Sequence, residues 1–538
     1  MYLKEVSQKN KDGTVRTYLQ LVESRRVNGK PRQVLLVNLG RVDGDDGKEK
    51  IDKLTEALVE ASTRLALLDA GRDLQADWSK EYGPVLIFKR LWEELGFEKV
   101  LGAEFSDVQT QFDLREAVFN MVLNRLTEPS SKRQMNLWEE DVYSVQSFSL
   151  QHYYRAMDYL IEHKDRMEEG IFYRMKDLLN QEVDMVLFDT TSLVYFGEGE
   201  EGEKLLERGF SKDRRSDLKQ IVVGVLMSKE GIPLGHEVFS GNTNDVTCFR
   251  QIIDKVKDRF QIGQVVLVGD RGMITKKNIQ YLEEKKYDYI LGFRMRTLPK
   301  EERAHILSKA DLKTMRKLEL QFKEVTFQGK RLIVCYNAER AEIDKKTREE
   351  ILERIREKIT SGNILSIVDN QSYKRFLKIQ GEKPEIDSEK VQKDEQYDGI
   401  FLLTSNTKLK PLEVVEYYKG LWQVEMAFRQ LKSELEMGPI YHWKDRRIQA
   451  HVMICFMALV LRTVFYKKLV SHQKDISWTE VMHDLKRLKA IGLKIKNSEV
   501  ILRTELKDGA SVAFRALSMR PPNRILSQEP LNHVVIRH

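Results

Sequence analysis

Between residues 183 and 293, short apolar runs alternate with stretches of helical period. "VDMVLFD" (183–189), "QIVVGVLMS" and "IPLGHEVF" have the length and composition of strands, and the last two meet at "KEG". "TNDVTCFRQIIDKVKDRF" predicts a capped helix, with Asp245 in the capping turn. "GQVVLVGDRGM" is another apolar run, ending near Asp270, followed by the helix "TKKNIQYLEEKK" and the strand "YDYILGF". Short connections make the first three strands antiparallel neighbours. The fourth, reached through a helix, returns parallel beside the first. The pattern predicts a mixed sheet with helices on its faces, in which the strand ends bring Asp189 beside Asp270.

The flanking sequence has other periods. "TYLQLVES", the turn "NGK" and "RQVLLVNLG" predict a basic hairpin over residues 1–46. Residues 47–180 predict mainly helices, interrupted by "TEPSSKRQ", which offers a cap followed by basic residues. The core sheet would occupy 181–293. Residues 294–394 form an insertion, with "LQFKEVTF" and "KRLIVCY" paired around Gly329 and a charged helix at 338–360, and are expected to be β-rich. "YDGIFLLTSN" returns the chain to a second core segment, 395–475, and 476–538 is a basic C-terminal region.

Within the second core segment, "YYKGLWQVEMAFRQLK" (417–432) predicts a helix with two stripes. Leu421, Val424, Phe428, Leu431 and Leu435 form an apolar one. Tyr418, Trp422, Glu425, Arg429 and Lys432 form the other, about 110° away on the helical wheel. A single acid framed by aromatics and cations fits either an exposed Glu425–Arg429 pair or a functional carboxylate among anion-binding groups.

Length and charge narrow the setting. With 538 residues, the chain exceeds one compact core. Net charge is +7, and the ends hold the excess: +5 over residues 1–40 and +6 over 483–538. That distribution permits a nucleic-acid partner. Cys248, Cys335 and Cys455 are far apart, which excludes a disulfide framework or a cysteine zinc site. The N-terminus has no apolar signal core, and "VMICFMALVL" is too short a run to span a membrane. A cytoplasmic, soluble protein is expected, associated with the bacterial nucleoid when bound to DNA.

Two strand-end aspartates and one helical glutamate suit two-metal phosphoryl chemistry, because hard divalent ions prefer carboxylate oxygens. Singly, Asp189 also fits a turn cap and Asp270 an Asx-turn. His442 and His451 stand nine apart, without metal-ligand spacing, and His451 reads as a packed helix residue.

Together these motifs give a more specific picture. The sequence resembles DDE transposases of bacterial insertion sequences, in the superfamily founded on insertion sequence four and its branch named for insertion sequence sixteen thirty-four. Tyr418, Glu425 and Lys432 fit the superfamily's helix motif, with Leu421 where an Arg would stand. "FDTTSL" and "GDRGM" resemble its two Asp motifs, and "SKDRRSDLKQ", "NRLTEPSSK" and "YHWKDRRIQAH" resemble that branch. The resemblance implies a ribonuclease-H-like α/β core interrupted by a β-rich insertion, with a helical N-terminal DNA-binding region. It implies metal ligation by Asp189, Asp270 and Glu425, using two Mg²⁺ ions with Mn²⁺ as a substitute. DNA contacts would come from Tyr418, Trp422, Arg429, Lys432, Lys212, Arg214, Arg215 and Lys219, with Arg429 or Lys419 covering part of the missing Arg's role. Partners would be double-stranded DNA (terminal inverted repeats and target) and a second copy of the chain, with no membrane. A ribonuclease-H-like nuclease without strand transfer, or a non-catalytic DNA-binding descendant, are the competing readings.

Overall fold

The structure, a computed structural model, describes residues 2–27, 30–43, 49, 52–61, 74–179, 185–199, 202–209, 215, 217–260, 266–270, 275–361, 371–380, 383–495 and 498–530. The chain divides into two compact units. The first comprises residues 1–79, 490–504 and 522–538. It holds an antiparallel sheet of β1 (Tyr2–Lys9), β2 (Val15–Val27) and β3 (Lys30–Arg41). This is the hairpin expected from the alternation, with one more strand in front. Its second sheet places β4 (Leu74–Glu81) at one edge, followed by β16 (Lys489–Ile495), β17 (Ser498–Arg503) and β18 (Ile525–Pro530). The sequence predicts mainly helices over residues 47–180. The extended form of β4 instead accompanies strands more than 400 residues away, which local pattern does not reveal.

The second unit comprises residues 80–489 and 505–521. Its centre is a nine-stranded sheet. β5 (Met185–Tyr195), β6 (Lys219–Ser228) and β7 (Pro233–Ser240) are antiparallel neighbours. β8 (Val266–Gly269) runs parallel to β5, and β9 (Asp288–Phe293) parallel to β8. The resulting order, β7-β6-β5-β8-β9, is the ribonuclease-H-like arrangement expected; the β6–β7 link is short, whereas β5 and β6 pair across the longer stretch 196–218. β10 (Lys313–Met315), β11 (Leu320–Phe327) and β12 (Lys330–Tyr336) belong to the insertion but continue the same sheet, joined to β9 through β15 (Ile400–Ser405). The rest of the insertion includes the charged helix Ala338–Thr360 and the small pair β13 (Leu377–Gln380) and β14 (Lys383–Ile386).

One sheet face is covered by a core that includes the helices Gly83–Glu94, Leu114–Thr127, Leu150–Glu162 and Asp445–His472. The opposite face packs a second cluster that includes Cys248, Phe249 and Ile252 of the helix Asp245–Phe260. Asp113 caps Leu114–Thr127 by accepting the Arg115 and Glu116 N–H groups at 3.0 and 3.1 Å. The run "VMICFMALVL" lies inside the 28-residue helix Asp445–His472, much longer than the run itself. That helix is long and apolar enough to cross a membrane, yet 89 % of its most apolar window is buried in the fold. Its apolar residues are the hub against which the other helices pack.

Candidate active site

Alternation along β5 decides where Asp189 lies. Val186 and Phe188 belong to the cluster under Asp245–Phe260, and Leu187 belongs to the other face. Asp189, two residues on, stands on the Leu187 face. On β8, Leu267 joins the cluster under Asp245–Phe260 and Val268 the opposite face, so Asp270 continues the Val268 face, the same side as Leu187. Phe188 pairs with Gly269, so Asp189 and Asp270 come next in register on adjacent parallel strands, about 4.8 Å apart in backbone terms. β5 does not end at Asp189 but runs on to Tyr195; it is β8 that ends, at Gly269, freeing the space beside Asp189. Asp270 is exposed and Asp189 half-buried, and Asp189 Oδ1 accepts the Thr190 N–H at 2.7 Å.

Behind this pair lies a support that the sequence reading missed. Thr190 points to the opposite face, where its hydroxyl donates to Asp245 Oδ1 at 2.5 Å. The helix cap there is Asn244, which accepts the Thr247 N–H at 2.9 Å. Asp245 was expected to serve the cap; it ties its helix to the strand beside Asp189 instead. The signal was present in "TND", where three cap-type residues stand in a row and only one is needed.

The glutamate helix is interrupted rather than continuous. It comprises Pro411–Lys419, a tight turn through Gly420 and Leu421, Trp422–Arg429, and a π-turn Gln430–Glu434. A side chain at Gly420 would approach Tyr417 O at 2.9 Å and Leu187 Cδ1 at 3.5 Å, so the turn lies directly on the Leu187–Asp189 face. Trp422–Arg429 packs over β5 and β6. Gln423 Nε2 donates to Lys229 O at 3.0 Å and so fixes the helix to the β6–β7 turn. At the other end Arg462, on the long helix, holds Glu434 through two bonds of 2.6 and 3.0 Å. The apolar stripe survives the interruptions: Leu421, Val424, Phe428, Leu431 and Leu435 are all buried. Leu421 is part of the core at the position where the motif carries Arg.

The second stripe is mostly open. Trp422 is 59 % exposed, Glu425, Arg429 and Lys419 are exposed, and Tyr418 and Lys432 are half-buried. Tyr418 Oη donates to Asp270 Oδ1 at 3.3 Å, linking the helix to the aspartate pair. Among the described residues Glu425 and Arg429 form no ion pair, although their spacing allows one. Nor do any three Asp, Glu, His or Cys side chains among the described residues close into a metal-sharing group. The backbone register sets Asp189 beside Asp270, Tyr418 bonds to Asp270, and Glu425 is exposed on the helix over β5 and β6, without the three carboxylates closing into one group. Adjacent carboxylates suit a hard divalent ion by donor chemistry.

The basic loop is partly occupied. Arg215 forms two bonds to Asp217, at 2.9 and 2.8 Å, and Lys219 Nζ donates to Glu198 O. Lys212 and Arg214 lie outside the described residues. His451 is buried, its Nε2 3.0 Å from Met437 O, as its helix position suggested.

Residues 184–461 match the family model described as "Transposase DDE domain", a stretch that contains Asp189, Asp270 and Glu425. Residues 3–69 match "IS1634 family transposase, N-terminal domain". No curated protein matches. Among solved structures, the chain is similar to a piggyBac transposase synaptic complex with hairpin DNA, at 11 % identity and TM-score 0.37, over 76 % of this chain and 82 % of that one. It is also similar to a Mos1 transposase paired-end complex with the left transposon end, at 12 % identity and TM-score 0.15, over 34 % of this chain and 60 % of that one. Both likenesses are too loose to place a residue.

Proposed function

The chain belongs to the DDE-domain transposases, and from that premise we propose that Asp189, Asp270 and Glu425 are its metal-holding acids. The protein is an insertion-sequence DNA transposase, an enzyme of DNA cleavage and strand transfer whose family depends on divalent metal. The observation that carries the assignment is the parallel register of Phe188 with Gly269, which sets Asp189 beside Asp270, next to the strands under the helix that bears Glu425.

Asp189 and Asp270 provide neighbouring carboxylates on one sheet face, and Glu425 completes the set when its side chain or helix turns toward them. Two Mg²⁺ ions, replaceable by Mn²⁺, supply when bound the positive charge that favours both the attacking and the leaving oxygen. Tyr418 orients the Asp270 carboxylate. Arg429, Lys419 and Lys432 attract backbone phosphates, and exposed Trp422 offers a face for a displaced base. Arg215 joins them by exchanging Asp217 for a phosphate, and Lys219 by leaving Glu198 O; Lys212 and Arg214 extend the same loop. The substrates are the element's terminal inverted repeats and a target duplex, held by a homodimer in the DNA complex.

Glu425→Gln tests the assignment most sharply, because among the described residues no contact links Glu425 to the two aspartates. The expected result is unchanged end binding in a gel shift with cleavage of the same substrate lost in Mg²⁺ and in Mn²⁺. Cleavage at the wild-type rate would sink Glu425 as a ligand. The basic N-terminal strands are proposed to grip the ends through phosphates, so Arg16→Gln with Arg32→Gln should reduce the salt slope of binding by about 2.

A further inference from the structure

Two stretches that the catalytic site does not use, "NRLTEPSSK" and "YHWKDRRIQAH", meet inside the second unit. Arg125 ends the helix Leu114–Thr127, Lys132 follows in the next loop, His442 precedes the long helix, and Arg447, His451 and Cys455 lie on it. Arg125, Lys132 and His451 are 6 %, 3 % and 7 % exposed. The rings of His442 and His451 are 5.6 Å apart, and Cys455 Sγ is 3.8 Å from His451 Nε2. Backbone carbonyls accept some of the donors: Arg125 Nη1 donates to Glu436 O at 3.3 Å and Nη2 to Ser130 O, while His451 Nε2 meets Met437 O. Among the described residues, three buried nitrogens of this cluster have no hydrogen-bond partner: Lys132 Nζ, Arg125 Nε and His451 Nδ1.

Asp158 Oδ1 stands 3.9 Å from Arg447 Nε, but among the described residues no carboxylate forms an ion pair with Arg125, Lys132, His442 or His451. Besides burial, the side chains acting on Lys132, His442 and His451 are Arg125, Arg447, Lys132, His442 and the Cys455 thiol, with no carboxylate among them. Burial keeps the Cys455 thiol above its ordinary range, so it supplies no thiolate. Burial and the neighbouring Arg125 push Lys132 down to about 7, and burial with Lys132, Arg447 and Arg125 pushes His442 down to about 4. Two responses to this arrangement are open: Lys132 gives up its proton, or an anion enters. Deprotonation removes the charge conflict but leaves the buried N–H groups without acceptors. A water molecule accepts hydrogen bonds but brings no charge. An oxyanion does both, and a guanidinium fork suits its oxygens.

We propose that Arg125, Lys132, His442 and His451 form an internal site for one small inorganic oxyanion of the phosphate or sulfate class. Bound there, it ties the loop after Leu114–Thr127 to the Glu436–Met437 backbone just beyond the glutamate helix and to the long helix. The depth of Lys132 favours a free ion over a phosphate still attached to duplex DNA.

The test uses the full chain at pH 6.5, with sodium phosphate or sulfate set against sodium chloride at matched ionic strength. The wild type is expected to melt a few degrees higher in phosphate, and calorimetry to find one phosphate per chain. Lys132→Met is expected to lose both effects and to melt in chloride at or above the wild-type temperature. His451→Gln, which keeps a donor toward Met437 O, is expected to weaken the phosphate increment and serves if Lys132→Met does not fold. Equal phosphate increments in wild type and both variants would overturn the proposal. Saturating short duplex DNA should leave the increment in place; its disappearance would overturn the free ion and assign the site to a DNA phosphate.

Discussion

The second unit holds two clusters of like charge, and solvent treats them oppositely. Asp189 and Asp270 are carboxylates in register at a sheet surface, one exposed and one half-buried. Arg125, Lys132 and His451 are cation-forming groups almost wholly removed from water. Water screens the first pair, so the carboxylates wait for a metal at small cost. The second cluster is in a medium where an uncompensated charge is expensive, so it has to lose a proton or gain an anion for the fold to stand. A cluster of one sign is thus an open binding site at the surface and a stability problem in the core.

Breaking the acidic side should have the largest effect. Asp270→Asn removes a carboxylate and no cation, so cleavage should fall by at least about 100-fold, more than the loss of an outer partner to a metal ligand. End binding should persist in a gel shift. Retained cleavage would reduce Asp270 to a turn former.

The cationic side should be sharpened by pH. In the anion-free protein Lys132 has a folded pKa near 7 against an ordinary value of 10.5. Between those values the unfolded chain binds the extra proton, so the contribution of this group to stability rises with pH from about 7 to 10.5 and is flat below. Lys132→Met should abolish that rise, and phosphate should flatten it in the wild type by keeping Lys132 charged. Urea melts at pH 7 and pH 9, with and without phosphate, would show whether the slope belongs to this lysine.

A third change touches the support of the acidic side and leaves its carboxylates in place. Thr190→Val removes the hydrogen bond to Asp245, at a cost of about 1 kcal/mol in thermal stability, with slower cleavage if Asp189 shifts. Unchanged melting would show that this bond does not brace the strand. Lys432→Ala should have the smallest effect on stability, under about 0.5 kcal/mol for a surface substitution. It should still slow cleavage if the flank positions the cut phosphate. Full activity with unchanged melting would leave Glu425 as the functional residue on that helix.

The strand order was legible from the sequence because it follows largely from local rules, although the pattern puts Asp189 at a strand end and β5 runs on to Tyr195. Connection length sets antiparallel or parallel return, and alternation sets the side on which each residue stands. The apolar stripe from Leu421 to Leu435 was legible for the same reason, since it is one surface of one helix. Local pattern did not show β4 as a strand, because its partners lie at the other end of the chain. It did not show the breaks at Gly420 and Gln430, which lie where the chain packs on Leu187 and just before the Glu434 that Arg462 holds. Nor did it show that Asp245 serves Thr190 or that Lys132 is buried with Arg125 and His451. Each of these depends on a partner distant in sequence, and only the tertiary fold sets the distance and the exclusion of water that give such a pair its energy.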